Sequence, residues 1–186
     1  SDRNSLVKGS LIGSLNLIPV VGAALASWVE TGISYSDSRF LRNFCFFVHG
    51  LKDIDNTKRL KFIEEVEQHA QDYSGNVLCD IINKIDNINK AGVIANLIKA
   101  EMNGDIEIDD FFRLTAIAER IPYSDYKYIS LFNEPKYIEG GVTELLYSVG
   151  VLIQKTIDSE QVNTYVLSIN GRKLIKYGLG QLISLD

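Results

Sequence analysis

Almost every apolar residue in this chain recurs at helical spacing, in short runs closed by Gly, Pro, Asn or Asp. Apolar side chains at i, i+3, i+4 and i+7 make one face of an amphipathic helix, whereas a half-buried strand alternates. Only Val151–Ile157 and Thr164–Ile169 read as strands, with the polar turn Asp158–Asn163 between them. Two strands separated by a polar turn make a hairpin. The expected fold is therefore mainly α: a helical array over residues 1–104, then a module over residues 105–186 that carries one β-hairpin.

The punctuation assigns the individual helices. Asp37 or Ser36 caps a helix through RFLRNFCFFVH, which Gly50 ends, with Phe40, Leu41, Phe44, Phe47 and Val48 on its apolar face. Asp55 or Asn56 caps the next, whose buried stripe is expected at Leu60, Ile63, Val66 and Ala70. Val77, Leu78, Ile81, Ile82 and Ile85 give a third stripe, and Asp86-Asn87 turns the chain into a helix from Asn89 to Met102, ended by Gly104. Asp109 is the expected cap of DFFRLTAIAER, which Pro122 stops. Ser124 is expected to cap DYKYISLF, VTELLYSVG reads as a further helix, and Asn170-Gly171 starts the closing one.

Between Gly9 and Val29 the chain carries no charge. That length is enough to cross a bilayer core of ~30 Å. Ser10, Ser14, Asn16 and Ser27 dilute the stretch, and Pro19 suits the first turn of a new helix better than the middle of an old one. The expectation is a helix pair, Asn4–Leu15 and Pro19–Ile33, whose small residues allow close packing in water or in lipid. Leu11, Leu17, Val20, Val21, Leu25 and Trp28 are its candidate contacts with a partner or a membrane surface.

Acidic residues outnumber basic ones by 24 to 19 among 186, for a net charge of −5. Phosphate neutralisation supplies most of the affinity of nucleic-acid binders, which therefore carry a basic excess. Cys45 and Cys79 each fall in an apolar-periodic stretch and read as buried free thiols in a reducing setting. With His49 and His69 as the only histidines, no zinc-ligand spacing occurs. DIDNT and KAEMNGDIEIDDF imitate calcium loops, but Lys58 and Lys99 occupy positions that need a glycine and a ligand. Neither metal nor cofactor is expected. No basic start, apolar run and cleavage site opens the chain, so the expected location is cytoplasmic, with membrane association as the alternative.

The chemistry of enzymes is thinly represented. There is no Gly-x-Ser-x-Gly elbow, and neither KGSLIGS nor NGRKLIKYGLG is a phosphate loop. Adjacent acids such as Asp109-Asp110 and Glu64-Glu65 diverge on a helix. A dyad assembled from distant residues stays open, but the expectation is no catalytic residue and no enzyme.

LLYSVGVLIQKT followed by YVLSINGRKLIKYG resembles the wing of MarR-like regulators, in which a strand ending in Leu-Ser leads to a glycine and a terminal helix. That resemblance, over Ile108–Leu182, implies a winged-helix module. SLIGSLNLIPVVG through IKAEMNGDIEIDDFFRL is similar to a loose set of bacterial and phage-associated helical proteins, some labelled abortive-infection factors. It implies a role in phage defence.

A winged helix that reads DNA presents Arg, Lys, Asn or Gln from its third helix. Here that helix is VTELLYSVG, with Thr143, Glu144, Tyr147 and Ser148 expected outside and no cation. The wing tip carries Asp158 and Glu160, which repel phosphate within a Debye length of ~8 Å. Arg172, Lys173 and Lys176 are expected on one side of the closing helix. Thr143, Glu144, Tyr147, Arg172, Lys173 and Lys176 are thus the candidate contact residues. The expected function is a non-catalytic interaction or regulatory protein that contacts another protein or itself. A DNA-binding regulator and a membrane-associating protein are the alternatives.

Overall fold

The computed structural model of the chain describes Asn43 and residues 50–51, 53–69, 77–155 and 163–180. The helix pair with Leu11, Leu17, Val20, Val21, Leu25 and Trp28, the 37–49 helix apart from Asn43, and the hairpin tip with Asp158 and Glu160 lie outside the described residues. The described residues are mainly helical with one small antiparallel hairpin, and the chain divides into two compact units, Ser1–Ile108 and Asp109–Asp186.

In the first unit, α1 (Asn56–His69) packs on α3 (Ile88–Met102), with α2 (Val77–Lys84) between them in sequence. Of the expected α2 stripe, Leu78, Ile81 and Ile82 are buried, as is Ile85 just past the helix, and the Val77 side chain lies outside the described residues. α3 is buried nearly all round, through Ala91, Val93, Ile94, Ala95, Leu97, Ile98 and Ala100. Lys90 and Glu101 are buried on it as well, so the apolar run carries two charged side chains into the interior. Asn87 caps it by accepting from the Asn89 amide at 2.9 Å.

At its far end Gly104 takes a left-handed φ of 76°. The Gly104 and Asp105 amides then reach back to the Glu101 and Ala100 carbonyls, both at 2.8 Å, which closes a Schellman turn. Asp55 likewise accepts from the Thr57 amide at 2.8 Å. The two calcium-like stretches are a helix start and a helix end. Gly50 is the last helical residue before the Leu51 turn, and a Cβ there would come within 2.9 Å of the Ala95 Cβ.

On α1, Val66 is buried as expected and Leu60 is not, while the Ile63 side chain and Ala70 lie outside the described residues. Arg59, Phe62 and Val66 are buried, and Leu60 is 45% exposed. Leu60–Ile63 and Arg59–Phe62 are both helical spacings that lead to Val66. Arg59 enters the interior because its guanidinium donates to the Leu51 carbonyl at 2.8 Å, while its stem packs as an apolar chain.

The second unit opens inside α4 (Ile108–Arg120), whose first residue closes the first unit and which is buried along Phe111, Leu114, Thr115, Ile117 and Ala118. The helix starts at Ile108, so Asp109 and Asp110 lie in its first turn, and Asp109 does not stand before the helix as a cap. Carboxylates there complement the macrodipole. After Pro122 come a 3₁₀ turn (Tyr123–Asp125), α5 (Tyr126–Ile129) and a second 3₁₀ turn (Ser130–Asn133). Ser124 caps nothing: its hydroxyl donates to the Asp125 carboxylate. Tyr126 anchors this segment by donating to the Ala118 carbonyl at 2.8 Å.

Next, α6 (Val142–Ser148) leads into β1 (Leu152–Lys155), which pairs antiparallel with β2 (Thr164–Leu167) in the register Leu152↔Leu167 to Lys155↔Thr164. One residue of the 134–141 connection joins the sheet, because Lys136 and Tyr165 exchange backbone hydrogen bonds at 3.1 and 2.9 Å. Ser168 caps α7 (Ile169–Lys173) by accepting from the Gly171 amide, so the helix begins one residue before Asn170. It continues as a π-helical turn, Leu174–Leu179. Ile129, Phe132, Leu146, Val151, Leu152, Leu167, Leu174 and Leu179 form the core of this unit.

A Cβ at Gly171 would lie 2.3 Å from the Val151 carbonyl oxygen, whereas one at Gly104 meets nothing within 4 Å. Gly104→Ala is expected to cost about 1 kcal/mol, the left-handed penalty alone. Gly171→Ala must move backbone and is expected to cost about 1–3 kcal/mol or more. Urea midpoints of the two variants against wild type check the ranking.

Candidate functional site

Helix α6 is entered through Gly140 and Gly141, both at positive φ (87° and 83°). That left-handed pair folds the helix start back on the preceding residues. Thr143, expected outside, is fully buried as a result: its hydroxyl accepts from the Ile138 amide and donates to the Ile138 carbonyl, both at 2.9 Å. It is a structural clasp. Glu144 and Tyr147, three residues apart, stay on the exposed side.

The Lys136–Tyr165 bridge brings a second tyrosine to this side. The Tyr147 and Tyr165 rings meet edge to face at 5.3 Å, and Tyr137 lies 6.4 Å from Tyr165. Tyr137 and Tyr147 are 45% and 47% exposed. The Tyr137 hydroxyl donates to Glu144 at 2.5 Å. This bond raises the Tyr137 phenol above its usual range, helped by partial burial and by the charges of Glu144 and Glu139. The same bond lowers the Glu144 carboxyl. Three tyrosines and the Glu144 carboxylate therefore share one surface, with the Glu139 charge close enough to act on Tyr137.

The basic candidates do not form a matching patch. Lys173 donates to Asp110 on α4, which Arg113 also approaches at 3.6 Å. Arg172 donates to the Leu167 carbonyl at 2.7 Å. Lys176 turns onto the adjacent Tyr177 ring, 4.7 Å from its centroid. The change from α to π winding after Lys173 also breaks the 172–173–176 phase expected for an α-helix.

The first unit holds a different constellation, which the sequence left open only as a dyad of distant residues. Glu101 of α3 is 8% exposed, and it shares a hydrogen bond with Glu65 of α1, which Lys61 approaches at 3.2 Å. Burial, then the Glu65 bond and charge, push the Glu101 carboxyl up to about 8, while Glu65 is lowered. One proton is thus held between two carboxyls at neutral pH. The signal for this pair was a glutamate three and four residues beyond Ile98 and Leu97 on a buried face. Tyr137 and Tyr165 carried less signal, since one lay in a loop and the other in a strand.

Among the described residues, no group of three or more His, Cys, Asp and Glu could hold a metal ion. No described helix is long and apolar enough to cross a membrane. No family model, curated protein or solved structure matches the chain.

Two titrations follow. Between about pH 4.5 and 8, the native Glu101 keeps a proton that the unfolded chain releases. Stability therefore falls as pH rises through that window and levels off above it. Glu101→Gln keeps a donor for Glu65 and removes the titration. It is expected to be more stable than wild type at pH 8 by on the order of 1–3 kcal/mol, with a flatter profile; denaturation midpoints across pH check this. Glu144→Gln is expected to return the Tyr137 phenol toward its usual range, read from an NMR pH titration of the ring.

Proposed function

We propose that the protein is a non-catalytic interaction or regulatory component, and that residues 109–186 are a winged-helix-like module used for protein contact or self-association. The order of elements supports the module: helix, short helix, helix, hairpin, then a Ser-capped terminal helix. The observation that carries the functional reading is the meeting of Tyr137, Tyr147 and Tyr165 beside Glu144 on the exposed side of α6 and β2. Tyrosine is favoured at protein interfaces because it offers a rigid apolar body with a polar tip, and it recurs among hot-spot residues.

Reading DNA is disfavoured on the same surface. α6 offers a carboxylate and a phenol where a phosphate needs cations, and Lys173 and Arg172 are already engaged inside the unit. A helix-turn-helix joins its helices by about three or four residues, whereas Glu134–Gly141 separate the last 3₁₀ turn from α6. Fluorescence anisotropy against random duplex DNA tests the reading. No binding is expected even at low salt. Tight binding that weakens steeply with salt would show phosphate contacts and overturn it.

A further inference from the structure

We infer that the Tyr137–Tyr147–Tyr165 surface docks a basic segment of a partner protein, and that arginine side chains are what it recognises. The inference rests on the protein-contact reading and adds the chemistry of the partner. Charge complementarity carries it. An aromatic ring carries a negative π face, the Tyr137 and Tyr147 rings are nearly half exposed, and Glu144 and Glu139 add formal charge around Tyr137. The Glu144 carboxylate is held by the Tyr137 hydroxyl before any partner arrives, so little ordering remains to be lost on binding.

Arginine fits better than lysine on three counts. Its guanidinium is planar, so it stacks on a tyrosine face. It is more weakly hydrated than an ammonium, so less is lost on docking. It also presents a fork of donors to a carboxylate. The chain's own cations leave this surface unneutralised by any cation–π contact among the described residues: Lys127 and Lys176 lie over Tyr128 and Tyr177 instead. Lys136 is a cation placed opposite Tyr165 across the bridge. It gives the test its sign, because removing it should help a cationic partner and harm an anionic one.

The probe is a labelled Gly/Ser peptide carrying two arginines one residue apart, titrated into the full chain by fluorescence anisotropy, beside lysine and glutamine analogues. The arginine peptide is expected to bind, the lysine peptide more weakly, and the glutamine peptide not at all, with affinity falling as salt rises. Tyr147→Leu and Glu144→Gln should each weaken binding by about two- to fivefold. Tyr147→Phe, which keeps the ring, should retain it, and Lys136→Gln should leave it equal or tighter. Circular dichroism confirms that each variant is folded.

An arginine peptide that binds no better than the glutamine one overturns the inference, as does indifference to Tyr147→Leu or weakening by Lys136→Gln. Sedimentation velocity on the same samples separates the two readings. If Tyr147→Leu abolishes self-association while no peptide binds, the surface is a contact between copies and the arginine chemistry falls. If neither is seen, the protein-contact reading falls with it.

Discussion

The second unit depends on one close approach, between the first turn of α7 and the Val151 carbonyl. The Ser168 amide donates to that carbonyl at 2.9 Å, its hydroxyl donates to the Gly150 carbonyl at 2.7 Å, and the same hydroxyl oxygen accepts from the Gly171 amide at 3.0 Å. One serine therefore closes the base of the hairpin and starts the helix. Gly171 is the residue that permits this, because any Cβ would displace backbone. Strand register follows from the junction: with Leu167 held beside Leu152, Tyr165 must lie where the Lys136 bridge and the Tyr147 ring can reach it. A slip by one residue would turn Tyr165 to the other face.

The junction also determines what the basic residues do. α7 starts where Ser168 places it, so Arg172 finds the Leu167 carbonyl and Lys173 finds Asp110. Asp110 is mostly buried and Lys173 is partly so. A pair of this kind loses its value if either partner leaves, because the other stays behind without compensation. Counting lysines and arginines along the closing helix overstates the positive charge the surface offers. The opposite holds on α6, where a carboxylate and a phenol are bonded to each other and still face outward.

Periodicity carried much of this fold. The α2 stripe, the stop at Pro122, the left-handed end at Gly104 and the hairpin all follow from local residue chemistry that acts within a few positions. What the sequence concealed depends on partners far along the chain. On α1, Leu60 read as buried and Arg59 as exposed, and the Leu51 carbonyl that takes the guanidinium reversed the two. Thr143 looked like an exposed polar helix residue until the Gly140–Gly141 turn returned it to Ile138. Lys136 joins the sheet through a single residue pair, which has no period to detect. Of the contact residues read from sequence, Glu144 and Tyr147 come together. Tyr137 and Tyr165 complete their surface, and neither was legible because the bridge that aligns them has no local signature.

Glu101 and Glu144 show how environment divides one residue type into two roles. Both are hydrogen-bonded. Glu101 is buried beside another carboxylate, so the cheaper state is the protonated one, and it acts as a donor that ties α3 to α1. Glu144 is exposed and accepts from a phenol, so its charged form is the one stabilised. The first is an internal fastening whose strength varies with pH. The second keeps its charge across the neutral range, which is what a surface that attracts a cationic partner requires. Burial is the variable that separates them, and the sequence hints at it only for Glu101, which follows Leu97 and Ile98 at helical spacing on the buried face of α3.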